Sequence, residues 1–297
     1  MDDGVGNGQA EGPAKPPEAA AQRPKSSGTP LFFRRLEILE AEKHGHLRLS
    51  AQADYGFARD SHMIPLNAVE FMAAARHYPV LFNGDETSMP VILVGVRFAQ
   101  NLFVEPDGRW TVGCYVPAFV RRYPFILLRD NRGAHRGEAA QVRLGVDTDA
   151  PMFTGSEGEG QGGNQGGNQG GNQGGQPLFV DGKPSDLMKH RGRFAGAFAR
   201  EQSRTRRFVQ ACLEHDLLIE RAVDVELSDK RHMAIRGFKV IDEERLRALP
   251  VEHMEEWWRQ GWFALAIAHL VSLGNFGRLF MKDERQADAP LDFTGQR

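Results

Sequence analysis

A low-complexity tract of glycine, glutamine and asparagine is the feature that most restricts what this chain can fold into. It runs from Gly160 to Gln176 with the sequence GQGGNQGGNQGGNQGGQ and carries no apolar side chain. Glycine loses more conformational freedom on ordering than any other residue, so the tract predicts a flexible segment outside any core. It is either an inserted loop of no specific function or a tether with a weak tendency to self-associate through Gln and Asn.

The N-terminal segment is equally unsuited to a core. After Met1, Val5 is the only large apolar side chain in the first 30 residues, which are rich in Ala, Gly, Pro and charge. We therefore predict a disordered tail over residues 1–30 and a single folded unit over 31–285. The tract is then a flexible insertion at about 155–176, and residues 286–297 form a frayed tail. This division leaves roughly 250 residues for the core.

Composition excludes several classes of protein. Lys and Arg number 37 against 39 Asp and Glu, a net charge of −2, whereas nucleic-acid binders usually carry a basic excess. Two widely separated cysteines, Cys114 and Cys212, are typical of a reducing compartment. The start of the chain lacks the basic and apolar regions of a secretory signal. The longest apolar run, Trp262–Leu273, is shorter than the roughly twenty residues of a bilayer span. We expect a soluble, cytoplasmic protein that binds no nucleic acid and does not span a membrane.

Hydrophobic periodicity predicts an α+β fold, in which an antiparallel β-rich N-terminal half packs with a mostly helical C-terminal half containing one hairpin. In the first half, Val91–Phe98 has the continuous apolar pattern of a buried strand. A turn at Glu105–Gly108 then joins Asn101–Val104 to Trp110–Tyr115 as a predicted hairpin. The second half contains a long predicted helix at 187–215, a hairpin at 223–227 and 234–241, and a helix at 243–249 with Asp242 as its N-cap. A helix at 251–260 and a buried helix at 262–273 follow. Arg200, Arg204 and Arg207 form a cationic stripe on the long helix, which is either a solvated face or an anion- or partner-binding face.

The sequence lacks the familiar nucleotide-binding and nucleophile-elbow motifs, so catalytic candidates come from histidines. His44 and His46 flank a glycine and would share one face of a strand. Together with Asp54 or Glu70 they would complete a two-His-one-carboxylate site for Fe(II), and otherwise we expect no cofactor. His269 lies in an apolar helix, where it is either a hydrogen-bonded core residue or a catalytic one.

The densest group of polar and aromatic residues lies between positions 101 and 125. Its candidate binding residues are Asn101, Trp110, Tyr115, Arg121, Arg122, Tyr123 and Phe125. Guanidinium groups beside aromatic faces suit a carboxylate or an aromatic ligand. Alternatively, the aromatic rings belong to the core and the arginines pair with acidic residues, of which Asp107, Asp130 and Asp147 are the candidates.

Seven short stretches of this chain resemble the SapC family of bacterial proteins. They are Asn101–Val104, Asp107–Trp110, Tyr115–Pro117, Arg121–Phe125, His44–Leu49, Leu246–Pro250 with the following Gly261-Trp262, and His269–Asn275. The resemblance extends over about residues 34–282, and the Gly/Gln/Asn tract and the N-terminal tail are additions to it.

What the resemblance implies is a physiological setting rather than a chemistry. The family takes its name from a surface-layer association and its members are often labelled as peptide-transport permeases, which the hydropathy of this chain contradicts. The expected function is an accessory protein of envelope or nutrient-uptake physiology that binds a small molecule or a protein. The alternative is a tailoring enzyme, a non-haem iron oxygenase that uses His44 and His46. The family supplies no catalytic residues that can be transferred to this sequence.

Overall fold

Antiparallel strands dominate the first half of the protein and helices the second half, which confirms the predicted α+β class. The computed structural model describes residues 29–130, 141–154, 175–226 and 232–287. The predicted tails, apart from their innermost residues, and most of the predicted insertion therefore lie outside the described residues. The strands are β1 (Leu36–Ile38), β2 (Arg48–Leu49), β3 (Met63–Pro65), β4 (Val80–Asn83), β5 (Pro90–Leu93), β6 (Phe125–Asp130), β7 (Gln141–Asp147), β8 (Phe153–Thr154), β9 (Gln176–Pro177), β10 (Phe179–Val180), β11 (Lys183–Pro184), β12 (Leu218–Glu226) and β13 (His232–Ile241).

Eight α-helices accompany the strands in the described part of the chain. They are α1 (Ala41–His44), α2 (Phe71–Ala74), α3 (Ala118–Arg121), α4 (Asp186–Glu214), α5 (Glu243–Arg247), α6 (Val251–Arg259), α7 (Trp262–Ser272) and α8 (Asn275–Ala287). The longest, α4, begins where the Ser185 side chain accepts a hydrogen bond from the Met188 backbone N–H. The expected cap of α5 is confirmed, because Asp242 accepts from the backbone N–H groups of Glu244 and Arg245.

The largest sheet combines strands from both halves of the chain. Its order is β12-β13-β4-β5-β3, and every pairing is antiparallel. The hairpin β12–β13 of the C-terminal half, predicted from the sequence, joins the N-terminal strands through Phe238 opposite Asn83 and Lys239 opposite Phe82. One large core fills the space between this sheet and the helices, and its fully buried side chains include Phe82, Phe208 and Trp257.

A second, smaller core lies among the short sheets. Strands β1, β7 and β6 form one three-stranded sheet, and β2 pairs with both β8 and β9 in another. Phe125, Val146 and Leu178 are buried between them. Gln176, which the sequence pattern assigned to the end of the flexible insertion, lies in β9 opposite Leu49.

Two strand predictions in the first half were wrong in extent. Strand β5 ends at Leu93 and does not reach Phe98, because the backbone N–H groups of Val94 and Gly95 both turn to the carbonyl oxygen of His62. The predicted 101–115 hairpin is reduced to one bridge between Val104 and Trp110. The turn that closes it is confirmed: the Gly108 N–H donates to the Glu105 carbonyl at 2.9 Å.

Helix α7 is only partly buried, contrary to the sequence prediction. Ala266 and His269 face the core, whereas Ile267 is 52% and Val271 67% exposed. By length and composition alone, Trp262–Arg285 is the one described helical stretch that could cross a membrane, and such a single stretch is weak evidence. Polar side chains within it are bonded to the rest of the protein, as when Asn275 Nδ2 donates to the carbonyl oxygens of Ala75 and Tyr78.

The last helix, α8, continues to Ala287, two residues into the tail that was predicted to fray from residue 286. Asp283 is 1% exposed, and its carboxylate accepts hydrogen bonds from Arg97 Nη2 and Gln100 Nε2, both at 2.9 Å. This buried carboxylate therefore fixes the end of the helix by pairing with an exposed arginine of a distant segment.

Candidate functional site

The candidate binding residues between Asn101 and Phe125 divide between core and surface. Asn101 is buried, and its side chain shapes the backbone: Nδ2 donates to the Ala58 carbonyl and Oδ1 accepts from the Phe103 N–H. Phe125 is a buried residue of the smaller core. Both of these predicted binding residues have a structural role.

Trp110 is also a core residue. Its indole Nε1 donates to the hydroxyl of Tyr78 at 2.9 Å, and that hydroxyl donates to the carbonyl oxygen of Tyr115 at 2.6 Å. Burial raises the pKa of Tyr78 well above its usual range, so the hydroxyl keeps its proton. This chain of hydrogen bonds connects the turn before strand β4, which contains Tyr78, to the segment that precedes α3.

Tyr123 and the segment that precedes β1 both bind to Asp147, the last residue of strand β7. The Tyr123 hydroxyl donates to Asp147 Oδ2 at 2.9 Å, and the same buried carboxylate accepts from the backbone N–H groups of Arg34 and Arg35. Burial and the neighbouring carboxylate raise the pKa of Tyr123 above its usual range. The interpretation of the aromatic residues as core is therefore confirmed for Trp110, Tyr123 and Phe125.

The companion idea, that Arg121 and Arg122 pair with acidic residues, is wrong. Each acidic candidate has another partner: Asp107 pairs with Arg109 at 2.6 Å, Asp130 with Arg143 at 3.2 Å, and Asp147 with Tyr123. Within the described residues, neither Arg121 nor Arg122 forms an ion pair with any carboxylate. The two guanidinium groups instead lie against aromatic rings at the junction of α3 with α4.

Arg121 is exposed and is held by neutral acceptors. Its Nε donates to the Val116 carbonyl at 3.0 Å and its Nη2 to the Tyr115 hydroxyl at 3.1 Å. The guanidinium carbon is 5.4 Å from the ring centroid of Phe194 on α4 and 5.7 Å from that of Tyr115, within cation–π range. The Tyr115 hydroxyl in turn donates to Glu70 Oε1 at 2.8 Å, and burial followed by Glu70 raises the pKa of Tyr115 to about 12.

Glu70 is the acceptor that fixes this region. Its Oε1 also accepts from the Ala118 N–H at the start of α3, at 2.7 Å, and its Oε2 accepts from the Asn67 N–H at 3.1 Å. The last contact is half of a capping box that begins the turn before α2. The carboxylate is buried and is occupied by three donors, none of which is a histidine.

Arg122 is the unusual member of the pair. The residue is only 7% exposed, and its guanidinium carbon lies between the rings of Phe119 and Phe198, at 4.3 and 4.6 Å from their centroids. Its Nε has no hydrogen-bond partner, and no described residue forms an ion pair with it. Burial lowers the pKa of Arg122 to about 10, which still leaves the group charged at neutral pH. The protein thus holds a buried positive charge without a counter-charge in the described chain.

Arg191 completes the group and was missed from the sequence. It lies on α4 at i, i+3 and i+7 spacing with Phe194 and Phe198, so all three share one helix face. Its Nη1 donates to the Arg121 carbonyl at 3.3 Å, its buried Nε has no partner, and burial lowers its pKa. That spacing is the signal in the sequence by which Arg191 could have been identified. We call Arg121, Arg122 and Arg191 the arginine cluster.

The cationic stripe further along α4, which consists of Arg200, Arg204 and Arg207, is exposed to solvent. Arg204 pairs with Glu201 one turn away, at 2.7 Å. The stripe therefore lacks the buried nitrogen atoms without hydrogen-bond partners that distinguish the arginine cluster.

The histidine pair of the Fe(II) hypothesis does not lie on a strand. His44 ends α1 and is buried, with Nδ1 accepting from the Glu40 N–H and Nε2 3.4 Å from Glu37. His46 is exposed in the turn before β2, and Asp54 accepts from the Gly56 N–H. Among the described residues there is no group of three or more His, Cys, Asp or Glu side chains arranged to hold a metal ion. Iron binding stays a prediction that metal analysis of the purified protein would test.

The sequence profile of the SapC family matches residues 39–279, and the chain belongs to this family. The resemblance read from the short motifs is thereby confirmed over nearly the same range. No curated protein and no solved structure gives a significant match to the chain.

Proposed function

We propose that this SapC-family protein is an accessory binding protein and that the arginine cluster is its ligand surface. The ligand class that fits is a carboxylate carried on an aromatic or apolar body. One observation carries the proposal: Arg122 is a nearly buried guanidinium with an unpaired Nε and no carboxylate partner among the described residues.

Burial of the Arg122 guanidinium without a counter-charge among the described residues has a cost in free energy. A buried charge without a counter-charge is unfavourable by several kcal/mol. Contacts with Phe119 and Phe198 offset only part of this cost, since cation–π contacts contribute about 0.5–2 kcal/mol each. A carboxylate that reached the cluster would supply the missing charge, and guanidinium groups bind carboxylates in a bidentate geometry. The strain of the free protein would then appear as binding energy.

The surroundings of the cluster support a ligand with an apolar body. The half-buried rings of Tyr115 and Phe194 lie beside the Arg121 guanidinium and offer faces on which such a body can pack. We further propose that binding takes place in the cytoplasm and serves envelope or nutrient-uptake physiology. The free thiols of Cys114 and Cys212 support a reducing compartment, and the family resemblance supports the physiological link.

Calorimetric titration with two matched compounds tests the proposal. Benzoate carries the carboxylate on an aromatic ring, and benzamide is its neutral counterpart of nearly the same shape. We expect wild-type protein to bind benzoate at least tenfold more tightly than benzamide, because charge-assisted hydrogen bonds are about twice as strong as neutral ones. Arg122→Met, which keeps the volume between Phe119 and Phe198, and Arg191→Gln should each remove this preference.

The matched control is Arg204→Gln, which removes an exposed arginine of the same helix that already pairs with Glu201. It should bind benzoate like wild type. Equal binding of benzoate and benzamide to wild-type protein, no binding of either, or an equal loss in Arg204→Gln would each contradict the proposal. Circular dichroism of every variant establishes that a loss of binding is not a loss of fold.

A further inference from the structure

A cleft of about 620 Å³ opens between the C-terminal end of α4 and helix α6. It lies about 24 Å along α4 from Arg191, since sixteen residues at 1.5 Å rise separate Arg191 from Arg207. It is therefore distinct from the arginine cluster. Its volume is within the range of small-molecule sites, roughly 300–1,000 Å³. The side chains that matter for its chemistry are Arg207, Glu214, His215, His253, Glu256 and Trp257.

Four of the side chains that line the cleft carry aromatic rings. The rings of His215 and His253 lie with their centroids 4.4 Å apart, and that of Trp257 is 6.1 Å from His215. Trp262 packs edge-on against Trp257 with a centroid distance of 5.5 Å. Two imidazoles and two indoles at one opening favour a flat ligand that packs against ring faces.

Trp257 also presents an unused hydrogen-bond donor. The residue is 1% exposed, and its Nε1–H has no acceptor among the described residues. Buried N–H groups nearly always have a partner, and an indole N–H can only donate. An acceptor atom on a bound ring would satisfy it.

The charges around the cleft argue against an anionic ligand. Two carboxylates, Glu214 and Glu256, face one arginine, Arg207, and Glu214 already accepts a hydrogen bond from Gln210 Nε2 at 3.1 Å. An anion would therefore meet no excess of positive charge, in contrast to the arginine cluster. A metal ion is also disfavoured, because the described residues include no three-ligand group and an indole N–H cannot coordinate a cation.

We infer that this cleft binds a neutral, planar heteroaromatic ring with a ring nitrogen or carbonyl oxygen that accepts a hydrogen bond from Trp257. The ring packs beside His215 and His253, and the polar rim of Arg207 and Glu256 faces its edge. This inference does not depend on the ligand proposed for the arginine cluster.

Two probes of the same size distinguish a hydrogen bond from the Trp257 N–H from nonspecific apolar binding. Benzimidazole is mostly neutral at pH 7.5 and has an accepting ring nitrogen, whereas indole has none. Calorimetry should show that wild-type protein binds benzimidazole about tenfold more tightly than indole, the effect of one buried hydrogen bond. In ¹H–¹⁵N spectra, the indole N–H resonance of Trp257, assigned as the one missing from Trp257→Phe, should move downfield with benzimidazole and not with indole.

The variant Trp257→Phe keeps a ring and deletes the donor, so it should bind the two probes equally. The matched control, Trp258→Phe, changes the exposed neighbour on the same helix and should retain the tenfold preference. The inference is overturned if wild-type protein binds neither probe at millimolar concentration or binds both equally. It is also overturned if the Trp257 resonance is unmoved, or if Trp258→Phe abolishes the preference as fully as Trp257→Phe. None of these results bears on benzoate binding to the arginine cluster.

Discussion

Two regions of this protein bury a nitrogen-containing side chain, and they treat it in opposite ways. At the seam between α7 and β4, His269 is fully buried: its Nε2 accepts from the Ile241 N–H at 3.0 Å, and Nδ1 donates to the Val80 carbonyl at 2.8 Å. At the arginine cluster, Arg122 is almost as deeply buried, yet its Nε is unpaired and its charge has no described counter-charge. Both imidazole nitrogens of His269 have hydrogen-bond partners, whereas the guanidinium Nε of Arg122 has none.

The difference separates a structural role from a candidate binding role. His269 was expected to be either a hydrogen-bonded core residue or a catalytic one, and the first alternative is confirmed. Ser272, one turn further along α7, adds to the seam by accepting from the Val80 N–H at 2.9 Å. A buried polar group whose bonds are complete contributes to the fold, whereas one whose bonds are incomplete raises the energy of the free protein until a ligand completes them.

The largest effect is expected from breaking the satisfied region. His269→Leu leaves the Ile241 N–H without a partner and the Val80 carbonyl with only a long contact of 3.5 Å to the Ser272 hydroxyl. Each unsatisfied buried group costs about 1–3 kcal/mol. We expect the free energy of unfolding in urea to fall by about 3 kcal/mol. Val271→Ala, an exposed position on the same helix, should change it by less than about 0.5 kcal/mol. A His269→Leu protein as stable as wild type would contradict the structural role.

A smaller effect is expected when pH alone weakens the same seam. Burial lowers the pKa of His269 from 6.5 to about 4, so between these values the unfolded chain binds more protons than the folded protein. Stability from His269 is therefore complete above pH 6.5 and is lost as the pH falls toward 4. We expect a loss of about 2 kcal/mol between pH 7 and pH 5.

Urea titrations of wild type and His269→Gln at a series of pH values measure this contribution by difference. The free energy of unfolding of the variant should fall less steeply with decreasing pH, because it lacks the His269 titration. A smaller dependence on pH remains, because His62 and His77, whose pKa values are also lowered by burial, titrate in both proteins. Parallel curves for the two proteins would mean that His269 is not responsible.

The sequence predicted the elements of the satisfied region well. Helices α4 to α7 and the hairpin β12–β13 agree with the apolar periodicity, and Asp242 caps α5 as the sequence suggested. These features depend on local patterns, which a single sequence contains. Strand β5 was overextended, because its end is set by two hydrogen bonds to His62, a residue about thirty positions earlier.

The candidate site could be predicted only in part. The arginines and aromatic rings at 101–125 were identified as a group, but which of them are buried depends on packing against segments distant in sequence. Arg191 lies seventy residues from Arg121, to whose carbonyl oxygen it donates, and nothing local indicates that the two meet. The partners of Asp107, Asp130 and Asp147 likewise depend on long-range or side-chain geometry that residue types alone do not specify.

The stability of Arg122→Met tests the central claim most directly, although its expected effect is the smallest. In chloride buffer we expect Arg122→Met to have a free energy of unfolding equal to that of wild type or higher by up to about 1 kcal/mol, since an unpaired buried charge is replaced by an apolar side chain. Adding benzoate at constant ionic strength should then raise the unfolding midpoint of wild type and leave that of Arg122→Met unchanged. A contradictory result would have two parts: Arg122→Met less stable than wild type by about 2 kcal/mol or more, as for a well-satisfied core residue, and an equal effect of benzoate on both proteins. Arg122 would then be a structural residue and not part of a ligand surface.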